Sequence, residues 1–403
     1  MNGENKNPYA AGSQALGYIY QSRLAMLSLF RSPEEIEVYI ERDDDIEFLG
    51  AEHKKTLASL KHKKVGDRLT DLSTDFWKSI KIWMDRFERD GRSKCNHSYV
   101  LFTTASVAAK SFLLFFLNKE LDNEQVVEID SSILKTLEAS ETALSKQLLA
   151  KLQELEPQDR QNFWSRIIIF DNHVRIENIP EIIKSQHMRT VRSQHRTPIY
   201  ERLEGWWDNQ VILMLTSKRK NALTGHEVSD KLASIADEFK VDNLPIDFRD
   251  SQPANDTEIS DDNRLFVFQL KSINVSTQRI RKAITDYYRA FEQRSAWARE
   301  NVLFEGEIEQ YEALLVDEWE RYKDILFDEL GEDTSANLQI SAGKELYKWA
   351  ELNTGHLRIR ERVTEPYVVR GSFHILANTK PDPRVYWHPR FLGRIREIFE
   401  ESA

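Results

Sequence analysis

The sequence predicts an α/β domain over residues 1–180 followed by a mainly α-helical domain over residues 181–403. Three observations carry this. The runs "IEVYIE", "DIEFLG" and "KTLASLKH" follow one another between Ile36 and His62 as short β-rich segments separated by turn residues. A further apolar run, "RIIIFD" from Arg166, extends the strand content to about residue 180. From Phe266 onward, "QRIRKAITDYYRAFEQRSAWARENV" and "EIEQYEALLVDEWERYKDILFDEL" alternate apolar pairs with charge at a period of 3.6.

Taken in order, residues 1–14 are polar and predict a disordered lead. "ALGYIYQSRLAMLSLF" places Leu16, Ile19, Tyr20, Leu24 and Leu27 at helical spacing, and Pro33 ends that helix. The first β run ends in Glu41, Asp43 and Asp44 form a turn, and Asp45 opens the second run, which stops at Gly50. The third carries Ser59 and Lys61, two apart and so on one face of a strand. "STDFWKSIKIWMDRF" opens on a Ser/Thr/Asp cap and sets Phe76, Ile80, Trp83 and Phe87 on one helical stripe. "SYVLFTTA" is β-like, and "SVAAKSFLLFFLNKE" predicts a helix after it. One or two helices follow in "IDSSILKTLEASETALSKQLLAKLQEL". Beyond Pro180, "TPIYERLEGWWDNQVILML" and "TGHEVSDKLASIADEF" predict helices, and "DSQPANDTEISDDN" a loop.

Composition sets limits on function. The chain has 403 residues, 40% hydrophobic and 30% charged, with a net charge of -10. Bulk charge therefore does not favour a polyanion, and nucleic-acid binding needs a local basic patch. Between Glu52 and Lys94 there are twelve Lys/Arg against seven Asp/Glu, a local balance of +5. The single cysteine, Cys95, excludes an intrachain disulfide and a multi-thiolate cluster, and points to a reducing cytoplasm. The N-terminal stretch lacks the form of a signal peptide. The longest apolar run, "SYVLFTTASVAAKSFLLFFL", is broken by Lys110 and threonines, so no membrane span is expected. There is no Gly-rich phosphate loop.

The polar residues attached to the three β runs have a chemistry. Stacked carboxylates repel each other, and a hard divalent cation relieves that repulsion. A helix with Gln21, a strand ending in Glu41, a strand opening with Asp45 and a strand carrying Ser59 and Lys61 make the layout of a metal-dependent phosphodiesterase. The arrangement resembles the acid–Xn–(E/Q)-x-K hairpin of the restriction-endonuclease-like, PD-(D/E)xK nucleases. The run "GYIYQ", "IERDDDIEF", "LASLKHKK", "LTDLSTDFWKSIKIW" and a strand into "TTA" is similar to the double-stranded DNA endonuclease domain of CBASS-associated nucleases. The rest, including "ERLEGWW", "LPIDF", "AITDYYRAFEQRSAW", "GKELYKW" and "VVRGSFHILAN", resembles the effector subunit of ABC-three-component systems, of which Lamassu is the best known.

The resemblance implies a restriction-endonuclease-like fold and a DNA endonuclease using Mg²⁺, with Mn²⁺ as the alternative ion. It implies catalytic roles for Asp45, Lys61, Glu41, Gln21 and Ser59, and metal ligation by Asp45, Asp44 and Glu41. Ser59 stands where the family has Glu or Gln, and a serine hydroxyl is a weak ligand. Lys63, Lys64 and Arg68 would meet the DNA backbone. The implied partners are double-stranded DNA, an SMC-like ATPase, a small accessory subunit and, in the active state, further copies of the chain.

Other assignments compete. "DDNRLFVFQLK" offers Asp261, Asp262, Gln269 and Lys271, a closer literal D…QxK match, but in a loop-and-helix context. Trp77 and Lys81 lie off the apolar stripe and could face substrate; Thr103 and Thr104 fit phosphate contact or capping equally. His187 and His195 sit in a basic loop without a third ligand at metal spacing, and His374 and His388 are expected to be structural. The rival functions are a non-catalytic assembly subunit, in which Asp45 and Lys61 merely pair, and a nuclease acting on RNA.

Overall fold

A computed structural model of the chain describes residues 10–50, 54–117, 120–253, 262–328, 330–331 and 334–393. They divide into two compact units, Met1–Ile235 and Ala236–Ala403. The expected boundary near residue 180 falls inside the first unit, because a helix and a strand beyond it return to the same sheet. No described helix is long and apolar enough to cross a membrane.

The first unit begins with α1 (Ala10–Phe30), so the expected disordered lead is helical from Ala10; residues 1–9 lie outside the described residues. Tyr20, Leu24 and Leu27 are buried, whereas Leu16 and Ile19 are exposed, so the predicted stripe packs only along its C-terminal half. The three predicted strands, β1 (Glu37–Ile40), β2 (Ile46–Leu49) and β3 (Lys55–Lys61), form an antiparallel meander. A two-residue β4 (Arg68–Leu69) precedes α2 (Thr74–Arg89), which buries Phe76, Ile80, Trp83 and Phe87. Strand β5 (His97–Thr103) follows.

The predicted helix after β5 is replaced by β6 (Ser106–Val107) and a 3-10 turn over Phe112–Leu117. β6 pairs in parallel with β4. Phe112, Leu113 and Phe116 are buried in the core, which fixes the segment by packing rather than by helical period. Helices α3 (Asn123–Glu138), α4 (Ala143–Glu154) and α5 (Pro157–Trp164) lead to β7 (Ile167–Phe170). A short α6 (Ile179–Ile182), α7 (Arg196–Leu215), β8 (Leu223–Thr224) and α8 (Gly225–Glu238) complete this part of the chain.

The sheet order is β7-β5-β3-β2-β1-β8, with β3, β5 and β7 parallel and the remaining pairs antiparallel. Parallel neighbours require crossovers, and α2 and α3–α5 supply them. These helices share one core with Leu57, Tyr99, Leu101, Ile167 and Ile169 of the sheet. On β3, Leu57, Ser59 and Lys61 alternate onto that same face. Helix α1 meets β1 and β3, and α7 meets β1 and α1.

The second unit is helical: α9 (Leu265–Ser272), α10 (Thr277–Arg299), α11 (Glu307–Asp328), α12 (Ala336–Leu352) and α13 (Pro366–Ala377). Trp319, Tyr347, Phe373 and Trp387 fill its core. The "LPIDF" loop is tied to α10 by Gln293, fully buried, whose Nε2 donates to Pro245 O (3.0 Å) and whose Oε1 accepts from Asp247 N (2.8 Å) and Tyr367 Oη (2.9 Å).

His374 and His388 are buried in this unit, as a structural role requires. Burial, aided by the nearby Arg264 charge, pushes the His374 imidazole down to about 3. The unfolded chain then takes up a proton near pH 6.5 that the folded chain refuses, so stability is present above that pH and is lost as the pH falls toward 3. Thermal melting across this window is expected to show a loss approaching ~1.4 kcal/mol per pH unit from this group, flattened in His374→Gln. A slope unchanged by the substitution contradicts the assignment.

Candidate functional site

The loop between β1 and β2 sends its three aspartates in three directions. Glu41 adopts a left-handed backbone (φ 54°) and its N–H donates to Asp45 O (3.1 Å), which closes the loop tightly. Asp43 accepts from Arg86 Nη1 (3.0 Å) and pairs with Lys55. Partial burial works to raise its carboxyl, but the Lys55 and Arg86 charges prevail and hold it at about 2. Asp43 therefore belongs to an ion-pair network with Arg42, Glu47 and Lys55.

Asp44 is held by both oxygens. Oδ1 accepts from Asp45 N (2.9 Å) and Oδ2 from Trp83 Nε1 (2.5 Å). Burial pushes its carboxyl up to about 6; the Trp83 bond opposes the rise and the Asp45 charge adds to it. Since the folded value lies above the unfolded one, ionising Asp44 opposes folding. Its favourable contribution is present below about pH 4 and is lost as pH rises to about 6. Carboxyl NMR titration is expected to give a midpoint near 6; a midpoint at the ordinary aspartate value contradicts this.

Asp45 turns to β3. Its Oδ2 accepts from Leu60 N (2.6 Å) and Ser59 Oγ (3.4 Å) and lies 3.6 Å from Lys61 Nζ. Lys61 Nζ donates to Ser59 Oγ (2.9 Å), and Ser79 Oγ of α2 donates to the same atom (2.8 Å). Ser59 thus accepts twice and donates once. Both lone pairs are occupied, so it is not available as a metal ligand; it fixes Lys61 beside Asp45.

Gln21 on α1 is buried, and its amide reaches the Glu41 carboxylate. Its Oε1 is buried without a hydrogen-bond partner. Desolvation raises the Glu41 carboxyl, and the neighbouring Asp45 charge raises it further, while Gln21 and Lys61 lower it. Two neighbouring carboxylates and an amide oxygen without a hydrogen-bond partner are hard oxygen donors of the kind Mg²⁺ or Mn²⁺ takes. Asp44 does not join them: no trio drawn from Glu41, Asp44 and Asp45 brings ligand atoms within 4.8 Å of one another.

The basic residues separate. Lys63 is tied down, its N–H on Thr104 Oγ1 (2.7 Å) and its ammonium paired with Asp75. Lys64, on the loop that follows β3, and Arg68, the first residue of β4, are exposed and make no ion pair among the described residues. Trp77 and Lys81 do not face this site: Trp77 is buried with Nε1 on Asp71 O (2.8 Å), and Lys81 Nζ reaches Gln147 Oε1 (3.2 Å). Thr103 and Thr104 serve local capping, Thr103 Oγ1 accepting from Ala105 N (3.2 Å). His187 stacks on Phe30 (5.2 Å between ring centroids) and His195 is buried. Ser79 and Trp83 are the site-shaping residues that sequence reasoning missed. A lone serine beside the buried stripe of α2 was the available signal for Ser79.

The alternative D…QxK stretch is not a site. Asp262 pairs with Arg264, and Gln269, buried in α9, donates to Ala377 O (2.8 Å). Lys271 is on the same helix, and Asp261 lies outside the described residues.

The fold and site thus define an α/β domain with a carboxylate–lysine hairpin, joined to a helical unit. Residues 266–395, within that helical unit, match the family model of C-terminal domain 7 of the ABC-three component (ABC-3C) systems. No curated protein matches the chain. Among solved structures, the Acinetobacter baumannii Cap4 SAVED/CARF-domain containing receptor with the cyclic trinucleotide 2'3'3'-cAAA is similar at 14% identity and a TM-score of 0.33. The alignment covers 64% of this chain and 57% of that one, and a likeness at that level defines neither fold nor activity.

Proposed function

We propose that the chain is a Mg²⁺-dependent DNA endonuclease, the effector of an ABC-three-component assembly acting against phage or plasmids, with a restriction-endonuclease-like first domain. The observation that carries this reading is Lys61 Nζ held 2.9 Å from Ser59 Oγ and 3.6 Å from Asp45 at the end of β3, with Glu41 across the hairpin. Glu41, Asp45 and Gln21 Oε1 would hold the ion. When bound, Mg²⁺ supplies Lewis-acid polarisation of the phosphodiester and a more acidic water.

The chain's own groups do the rest. Lys61 orients the attacking water and donates to the phosphate oxygen on which charge grows as the bond from phosphorus to the leaving oxygen breaks. Ser59 and Ser79 keep the ammonium from swinging away. Lys64 and Arg68 meet neighbouring backbone phosphates, so binding weakens with salt. The C-terminal unit docks the chain to an SMC-like ATPase and an accessory subunit. These hold it inactive until release permits self-association. A second reading, a non-catalytic assembly subunit, is favoured by Asp44 being turned toward Trp83, which leaves two carboxylates for the ion.

The test is incubation of the isolated chain with linear and circular duplex DNA at low salt, across a protein concentration series, with Mg²⁺ or with EDTA. Mg²⁺-dependent cleavage rising steeply with concentration is expected. Cleavage at full rate by a monomer contradicts activation by self-association. Intact DNA at every concentration, and again with partner subunits and ATP, contradicts the nuclease.

A further inference from the structure

We infer that Asp90, Cys95 and His97 form a binding site for a borderline-soft divalent cation of the zinc class, separate from the candidate nuclease site. An Asp90 carboxylate oxygen, Cys95 Sγ and His97 Nδ1 all lie within 4.8 Å of one another. A tetrahedral zinc with ordinary bond lengths holds its ligand atoms roughly 3.3–3.8 Å apart, so small adjustments complete the shell.

The local sequence builds the cluster. Asp90 caps the C-terminus of α2, Gly91 turns the chain at φ 84°, and a 3-10 turn over Arg92–Lys94 brings Cys95 back beneath it. His97 is the first residue of β5. Cys95 is buried, with Sγ 3.6 Å from Tyr99 Oη. The single cysteine rules out a multi-thiolate cluster but not one thiolate beside an imidazole and a carboxylate.

The second observation is an orphaned atom. His97 Nδ1 lies 3.1 Å from Asp90 Oδ2, yet it is buried and makes no hydrogen bond. The separation suits a hydrogen bond and the direction does not. Arg86 Nε donates to Asp90 Oδ2 (2.7 Å) and fixes the carboxylate. The surrounding charges balance: Arg42, Lys55 and Arg86 against Asp43, Glu47 and Asp90. Binding expels the Cys95 thiol proton to solvent, and the thiolate offsets half of the ion's charge. Three protein ligands leave one position for water.

Register separates this site from the other. His97 pairs with Lys55 and Thr103 with Lys61, so His97 and Lys61 lie at opposite ends of the β3–β5 pair, while the Arg86 guanidinium links Asp90 to Asp43 in the β1–β2 loop. A cation here pins the end of α2 to the start of β5, the crossover that carries Ser79 and Trp83.

Cobalt titration of the full chain tests this. Co²⁺ is expected to bind with a thiolate-to-cobalt charge-transfer absorption that saturates at one equivalent and is bleached by Zn²⁺. Because there is one cysteine, that band reports Cys95 alone and is blind to ions at Glu41 and Asp45. His97→Ala is expected to weaken binding at least about 100-fold, and Zn²⁺ to raise the melting temperature of the wild type but not of Cys95→Ser. Absence of the band in folded wild-type protein overturns the proposal without recourse to a variant. A band unaffected by His97→Ala also overturns it, as it would mark a thiol binding cobalt by itself.

Discussion

Lys61→Ala is expected to lower Mg²⁺-dependent duplex cleavage about 10³-fold, the cost of removing one positioned charge donor from a transition state. The loss is large because, among the described residues, no second ammonium pairs with Asp45: Lys63 is paired with Asp75, and Lys55 serves Asp43 and Glu47. The fold should not suffer. Lys61 and Asp45 are both partly solvated, and a pair of that kind contributes about 0–1 kcal/mol. Lys61→Arg is expected to fail as well, since a planar fork cannot place one donor on Ser59 Oγ and another beside Asp45 within the same space. Single-turnover plasmid relaxation measures the rates and circular dichroism the fold. A Lys61→Ala protein that cuts at the wild-type rate contradicts the assignment.

Gly371→Val carries the largest expected structural effect. A Cβ at Gly371 would lie 2.1 Å from Asp286 O and 2.4 Å from Ala290 Cβ. Both belong to α10, and a helix backbone cannot yield locally. α13 must then move off α10, at a cost of about 3 kcal/mol or more. Unfolding of the C-terminal unit should shift accordingly, and partner subunits should cease to co-purify. Gly205→Ala is the matched control. It sits within α7 with nothing inside 4 Å of a new Cβ, and alanine there should stabilise by up to about 1 kcal/mol. Equal melting of wild type and Gly371→Val contradicts the close packing of α10 on α13.

What could be read ahead of the structure followed from period and punctuation. Alternation in "KTLASLKH" placed Ser59 and Lys61 on one face, and the Phe76–Phe87 stripe located α2 and its buried side. Elements without a period escaped. β4, β6 and β8 have two residues each, too few to alternate, and they exist because neighbouring strand edges accept them. "FLLFFL" is apolar throughout, so it cannot distinguish an α-helix from the 3-10 turn that packing selects. The same limit hid the division of labour among Asp43, Asp44 and Asp45. Which partner each meets depends on residues such as Lys55, Arg86 and Trp83, 12 to 43 positions away in the chain. The role of Ser59 was equally closed, since it depends on Ser79 facing it from another element.

On the proposed function, the catalytic cation would sit between Glu41 and Asp45 at the mouth of the β1–β2–β3 meander. Iron-directed backbone cleavage tests it most directly: Fe²⁺ replaces Mg²⁺, and radicals generated at the ion cut the chain beside it. Cuts are expected around residues 41–45 and 59–61, suppressed by excess Mg²⁺ and absent in Asp45→Asn. Cuts around residues 90–97 would report the separate Cys95 site and should persist in that variant. Folded protein that is cut elsewhere, and never at the meander, would contradict the account.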